Sequence, residues 1–352
     1  MKSNLNQKSK FIGVSSSSSW SLWIFRKKLL EYLSKKNNLI ILSKEKFFLK
    51  KIKIKNFLFI KHNFKFYVKN IFLLKNKNIN KFIEYDIKNL IFHFILKIFI
   101  NYELIVICAG LGSYYNKKGY FNFIEKLILK IIFVPVNKII FINKYDKIIL
   151  NKLVKKKNHT IPTEGYQLKF YRIKKKINLR TSFVLGARPI KEKGILEYIE
   201  VAKEYPQCDF YLYLIGTNKK KIFYNSKILN IENQNLPKNL IIRKNIQNFT
   251  KKIRIYDCLI SNSYGEGFGN TIADATCSGL VVISTKTNGA KYIFKKKSLI
   301  WVKIKSAASL KKAIRIFLNM NHNQKTRMIK SARLDIKKIN INKVLIKLID
   351  YL

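Results

Sequence analysis

Glu266 and Asp274 stand with seven residues between them, around a turn that reads Tyr264-Gly265-Glu266-Gly267-Phe268-Gly269-Asn270. The chain has 71 basic residues and only 19 acidic ones, so two carboxylates this close together invite a chemical explanation. A carboxylate accepts two hydrogen bonds at once, which suits the paired hydroxyls of a sugar ring or a ribose. Alternating glycines let the backbone approach a ligand closely and leave amide groups ready to donate. Asn270 or Thr271 is expected to open a helix with Asp274 about one turn in. Upstream, Arg188 follows an apolar run, and Lys193-Gly194 comes five residues later at the mouth of another expected helix. Two cations and a helix N-terminus can converge on one anion, and a diphosphate fits. Each feature alone also has a plainer reading: Asp274 offsetting a helix dipole, Glu266 as a loop charge, the lysines as a solvated loop.

The elements that must position these residues follow from hydrophobic periodicity. "KFIGVS" (10–15), a serine loop, the helical pattern "WSLWIFRKKLLEYLSKKN" with Ser21 as its cap, and "NLIILS" (38–43) form a β-α-β unit. Further strands are expected at 56–60, 82–86, 104–109 and 138–142. "LIFHFILKIFINYELIVICAGLG" reads as a buried helix and then a buried strand, with His93 as a packing residue. Pro162 to Arg180 reads as a linker, after which the pattern restarts with strands at 182–187, 210–216 and 256–262 and the run "LVVIST". The expected architecture is α/β, with two Rossmann-like parallel-sheet domains facing across a crevice. Residues 1–165 form the first domain, 166–335 the second, and a helix near 336–352 packs back on the first. Ligands in such sheets sit outside the carboxyl ends of the strands.

The formal net charge is +52, carried by 62 lysines and only 9 arginines. Nucleic-acid readers favour arginine, whose planar fork grips phosphate and guanine in two places. The lysine excess, with abundant Ile, Asn, Phe and Tyr, fits drift toward AT-rich codons and also attraction to an anionic membrane. Cys108, Cys208, Cys258 and Cys277 form no CxxC pair and sit in apolar strings, as expected of buried, reduced thiols. The polar, serine-rich N-terminus does not read as a signal peptide.

The order strand, R-x4-K-G, helix, strand, then strand, E-G-F-G-x4-D, helix, A-x2-S-G, strand resembles the GT-B glycosyltransferases of family 4. That resemblance implies that Glu266 touches the donor sugar, Asp274 the ribose, and Arg188 with Lys193 the leaving diphosphate. Gly267, Phe268, Gly269 and Asn270 would line the donor site. Asp274 stands where the family usually has glutamate, one methylene longer. "AGLGSYYNKKGY" (109–120), "IIFINKYDKIIL" (139–150) and "IPTEGYQLKFY" (161–171) resemble bacterial enzymes that add N-acetylgalactosamine or related sugars to undecaprenyl-diphosphate-linked saccharides. "EGYQL" departs there from the commoner "GSGVDL". The resemblance implies a retaining hexosyltransferase that moves a HexNAc or hexose from a UDP-sugar to a polyprenyl-diphosphate-linked saccharide, in surface-polysaccharide or glycoprotein glycan assembly. Its acceptor side would include Ser15, Ser16, Ser17, Gly110 and Gly112. No D-x-D occurs, so neither a metal nor another cofactor is expected in the donor site. The helix bearing Trp20, Trp23, Phe25, Arg26, Lys27 and Lys28 suits either burial against the sheet or a membrane interface. A cytoplasmic protein peripheral on the inner face of the membrane is the expected setting.

Three other readings remain. A UDP-sugar epimerase would use the same scaffold, but such sites usually carry histidines, and none lies in the second-half motifs. A polycationic nucleic-acid-binding protein would cluster arginine and aromatics on one face, whereas these lysines are dispersed, so no specific nucleic acid is expected. A relative that folds without turning over would tend to lose Arg188, Lys193 and Glu266, which are all present.

Overall fold

The computed structural model describes residues 11–111, 123–163, 168–173, 179–215, 221–224, 227–230, 236–244, 249–339 and 341–352. They divide into two compact units, one of residues 11–111, 123–163 and 341–352, the other of 168–173 and residues 179–339 with the gaps just given.

The first unit is built on seven parallel strands: β1 (Phe11–Ser15), β2 (Asn38–Ser43), β3 (Phe57–Lys61), β4 (Ile79–Glu84), β5 (Glu103–Cys108), β6 (Lys138–Phe141) and β7 (Lys157–Thr160). Their order is β3-β2-β1-β4-β5-β6-β7, which puts the reversal of strand order between β1 and β4. The helices are α1 (Ser19–Lys36), α2 (Tyr67–Leu74), α3 (Leu90–Phe99), α4 (Phe123–Ile132) and α5 (Lys144–Asn151). Connections from β3 onward all step in one direction across the sheet, so right-handed crossovers place α2 to α5 on one face and α1 on the other. Packing of α2 against α3, of α3 against α4, and of α1 against the turn Phe47–Lys51 agrees with this.

The second unit holds a six-stranded parallel sheet ordered β12-β9-β8-β13-β14-β15. Its strands are β8 (Ser182–Ala187), β9 (Asp209–Leu214), β12 (Leu240–Lys244), β13 (Cys258–Ser261), β14 (Val281–Thr285) and β15 (Ile300–Val302). A separate antiparallel pair, β10 (Lys221–Tyr224) and β11 (Lys227–Asn230), completes the strands. The helices are α6 (Ile195–Glu204), α7 (Phe249–Lys252), α8 (Asn270–Ser278), α9 (Asn288–Ile293), α10 (Ala307–Asn319) and α11 (His322–Lys337). The core gathers Phe183, Tyr198, Phe210 and Phe317, all fully buried and worth roughly 2–3 kcal/mol each in apolar transfer. The Tyr198 hydroxyl lies 3.1 Å from the carbonyls of both Phe183 and Tyr211, so burying it leaves no polar group stranded.

Several expectations shift. The cap of α1 is Ser18, whose hydroxyl accepts from the Ser21 amide at 3.4 Å, and Ser21 lies within the first turn. The strand expected at 82–86 is β4, displaced toward residue 79. The last helix is two: α11 ends at Lys337, and α12 (Ile341–Tyr351) belongs with the first unit. There Lys138 Nζ donates to the Tyr351 carbonyl at 2.7 Å, and the His159 ring stacks on Tyr351 at 3.9 Å. All four cysteines are buried and none is in a disulfide, and burial pushes the Cys277 thiol up to about 12. The helix expected to be buried, α3, is buried only on the side of Leu90, Phe92, His93 and Leu96.

His93 is a packing residue, as the sequence suggests. Its Nε2 lies 3.0 Å from Glu84 Oε2 and its Nδ1 2.9 Å from the Tyr102 hydroxyl, all three groups being buried. Burial pushes the Glu84 carboxyl well up and the His93 imidazole well down, so the pair sits as neutral partners around one proton. His62, also buried, faces Asn70 Nδ2 at 3.1 Å through Nδ1, and burial lowers its pKa to about 4. The unfolded chain therefore takes up a proton near pH 6.5 that the folded chain refuses until about pH 4. This contribution to stability is complete above pH 6.5 and declines as pH falls, the loss reaching about 2 kcal/mol by pH 5. Denaturant unfolding at pH 7 and pH 5 should show His62→Gln losing that part of the pH dependence; an unchanged slope would assign it to other groups.

Candidate functional site

The residues expected to hold the donor lie beyond the carboxyl ends of β8 and β13, the two central strands where the strand order reverses. Arg188 follows β8 directly and is exposed. The chain then makes one turn of 3-10 helix, Lys191–Lys193, and passes through Gly194 into α6. Gly194 has φ +65°, and a Cβ there would lie 2.1 Å from the carbonyl oxygen of Asn262, just beyond β13. The Asn262 side chain donates back to the Gly194 carbonyl at 3.2 Å, so the two strand-end loops are fastened together. Tyr264 reinforces this, its amide donating to Glu192 O at 2.8 Å and its hydroxyl to Glu197 Oε1 at 2.5 Å.

That fastening brings Lys193 and Glu266 into a direct, hydrogen-bonded ion pair although 73 positions separate them. Ser263 Oγ donates to the same carboxylate oxygen at 2.6 Å. Burial alone would raise the Glu266 pKa, but the Lys193 charge and hydrogen bond, the Ser263 hydroxyl and the Arg188 charge outweigh it. The carboxyl is held below its ordinary range and is ionised at neutral pH. The two side chains are 16 % and 19 % exposed, sheltered enough for the charges to matter and open enough for a ligand to reach them.

The glycine turn is pinned from behind by α9. Gly289 N donates to the Glu266 carbonyl at 2.8 Å, and a Cβ on Gly289 would stand 2.4 Å from the Gly267 backbone. Phe268 is buried, and Gly269, at φ +87°, starts α8. Asn270 and Thr271 form the first turn of α8, as expected from the sequence. Asp274 sits one turn in, 9 % exposed, and receives a hydrogen bond from the Thr250 hydroxyl. Thr250, Ser263, Asn262 and Gly289 escape the sequence reading. Ser263, three residues before Glu266, has the spacing of a side-chain partner, whereas Thr250 gives no local signal.

In the first unit the described residues expected on the acceptor side lie at the carboxyl ends of β1 and β5. Ser15 and Ser16 are buried, Ser17 is exposed. The Ser17 amide donates to Asp86 Oδ2 at 2.5 Å, Ser16 Oγ lies 3.0 Å from Ser21 Oγ, and Asn89 Nδ2 donates to Ser15 Oγ at 3.3 Å. Gly110 has φ +145°, just beyond β5. Gly112 lies outside the described residues. Glu84 and Asp86, two more of the rare acids, belong to this cluster, and the scarcity that singles out Glu266 would have found them. The aromatic face of α1 is half-buried: Trp23 stacks on Phe48 at 5.6 Å, and the buried Arg26 guanidinium lies 3.9 Å above the Tyr85 ring. Among the described residues no group of three or more His, Cys, Asp or Glu is placed to hold a metal ion.

Residues 171–335 match the family model "Glycosyl transferases group 1", a span that includes Arg188, Lys193, Glu266 and Asp274. Among curated proteins none matches detectably. Similar solved structures span nearly the whole chain. HepE from Anabaena, determined in complex with UDP-glucose, superposes with a TM-score of 0.76 at 12 % identity, covering 98 % of this chain and 100 % of HepE. Sucrose-phosphate synthase from Thermosynechococcus elongatus gives 0.75 at 14 % identity over 96 % and 97 %. A glycosyltransferase from Rickettsia africae gives 0.69 at 17 % identity over 98 % of each chain. The fold is therefore GT-B, two Rossmann-like parallel-sheet units, and the domain match with that fold supports a glycosyltransferase.

Proposed function

We propose that the chain transfers a HexNAc or hexose from a UDP-sugar to a polyprenyl-diphosphate-linked saccharide, with retention of anomeric configuration. The observation that carries the donor half is the Lys193–Glu266 pair at the ends of β8 and β13 with Arg188 alongside, inside the matched domain. UDP is taken as the nucleotide because HepE binds it on a similar fold. In the ligand-free protein the ammonium and the carboxylate satisfy each other. A sugar diphosphate offers each a better partner: phosphate oxygens for Lys193 and Arg188, sugar hydroxyls for Glu266. Asp274 serves the ribose, and the amides of Gly267, Phe268 and Gly269 serve the sugar.

As the bond from the anomeric carbon to the diphosphate oxygen breaks, negative charge gathers on UDP. Arg188, Lys193 and the amide end of α6 oppose that charge. The acceptor hydroxyl attacks from the face of departure, its oxygen bonds to the anomeric carbon, and its proton leaves with the diphosphate. Two cations do the work of a divalent ion, so activity is expected to survive a chelator. On the acceptor side Ser15 to Ser17, Gly110 and Gly112 would meet the saccharide. The setting proposed is the cytoplasmic face of a bacterial membrane, in surface-polysaccharide or glycoprotein glycan assembly. Incubation with UDP-linked GlcNAc, GalNAc, glucose and galactose and an undecaprenyl-diphosphate saccharide, in EDTA, tests this. Acceptor-dependent UDP release from one of the four is expected. Conversion of one UDP-sugar into its epimer, or no release that depends on acceptor, would overturn it.

A further inference from the structure

Two neighbouring helices of the first unit carry a second apolar stripe that the fold does not bury. On α3, Ile91, Phe94, Ile95 and Ile98 recur at i, i+3, i+4 and i+7 and are all exposed, Ile98 at 71 %. On α4, Ile124, Leu127, Ile128 and Ile131 repeat the same spacing, again exposed, while Leu129 is the one buried residue of that helix. Adjoining α2 adds Val68 and Phe72, 69 % and 61 % exposed. A helix apolar on two sides has one side for its own sheet and one for something else. Since α2 packs on α3 and α3 on α4, these stripes share one face of the unit. Isolated exposed apolar residues are ordinary, but stripes on adjacent helices are not.

The charge around the face selects its occupant. Residues 64–77, 88–99 and 123–134 contain eight lysines and one acid, Glu125. A second copy would bring lysines against lysines. A nucleic acid would gain nothing from isoleucine and phenylalanine stripes. An anionic bilayer answers both features, with acyl chains for the stripes and headgroups for the lysines. We propose that the α2–α3–α4 face seats this chain on an anionic lipid bilayer. The proposal deepens the lipid-linked acceptor reading and rests on it for why a bilayer should be met at all, but its test is separate.

The purified full chain is sedimented with phosphatidylcholine vesicles and with vesicles half phosphatidylglycerol, at physiological salt. The triple variant Ile98→Glu, Phe99→Glu, Ile128→Glu is compared with a control of equal charge, Ile255→Glu, Ile316→Glu, Leu334→Glu, whose exposed apolar residues lie in the second unit. Expected are at least tenfold tighter binding to the anionic vesicles, a tenfold or greater loss in the triple variant, and less than threefold loss in the control. Equal losses in both variants would reduce the effect to bulk charge and overturn the proposal. So would a native dimer that the triple variant splits, which would make the face a self-contact. Hydrogen exchange on the native chain needs no variant: vesicles should protect 91–99 and 124–132, and unchanged exchange there overturns the proposal. UDP titration of the same samples keeps the readings apart, since vesicle binding without UDP binding would sink the transferase and leave the surface standing.

Discussion

Glu266→Gln should lower acceptor-dependent turnover by about 10²–10³-fold while UDP affinity changes less than threefold. Glutamine nearly matches glutamate in shape, so the loop, pinned by Gly289 and fastened through Tyr264 and Asn262, should hold its form. What goes is the charge. Lys193 loses its partner, and on the proposed reading the donor sugar loses the carboxylate that accepts its hydroxyls. UDP alone carries no transferred sugar, so on the proposed reading its binding rests on Arg188, Lys193 and Asp274. Initial rates of UDP release beside calorimetry on one preparation separate the two effects. Equal losses in turnover and UDP affinity would mean that Glu266 only positions Lys193, and turnover within threefold of the native chain would remove it from the site.

Gly194→Ala should have the largest structural effect. At φ +65° a side chain is strained whatever the space, and here its first carbon would stand 2.1 Å from the Asn262 carbonyl oxygen. The backbone must move, and it is the backbone that carries Lys193 and opens α6. We expect a loss of about 2–4 kcal/mol in the stability of the second unit. UDP affinity should fall at least tenfold in whatever fraction stays folded, because Arg188, Lys193 and the α6 amides no longer converge. Chemical denaturation with calorimetry at low temperature measures both. A stable Gly194→Ala protein with native UDP affinity would show that the two strand-end loops need not be fastened.

The donor site is legible in the sequence because its pieces are local: a buried strand, then a cation or a glycine turn, then a helix. The strands before Arg188 and Tyr264 are short apolar runs, and Asn270 begins its helix at the expected place. What joins the pieces is not local. The Lys193–Glu266 pair spans 73 positions and the Thr250–Asp274 bond 24, so neither has a sequence signature. Strand β7 reads "KNHT", an edge strand with too little apolar content to announce itself. Strand β12, "LIIRK", is likewise an edge strand, five residues long. The misreading of α3 has the opposite cause. A helix apolar on both sides looks buried in sequence, and only the sheet and the neighbouring helices show which side is covered. Arg26 is open between two readings in sequence, since a basic residue beside tryptophans suits either a membrane surface or burial, and only Tyr85 beneath it decides for burial.

The most direct test of a nucleotide-sugar site is titration of the native protein with UDP, GDP and ADP in turn, in EDTA and physiological salt. The donor site described here predicts saturable binding of UDP at least tenfold tighter than the other two, lost in Arg188→Ala. Equal binding of all three, erased by salt and untouched by Arg188→Ala, would show lysines acting as a general polycation and would contradict it.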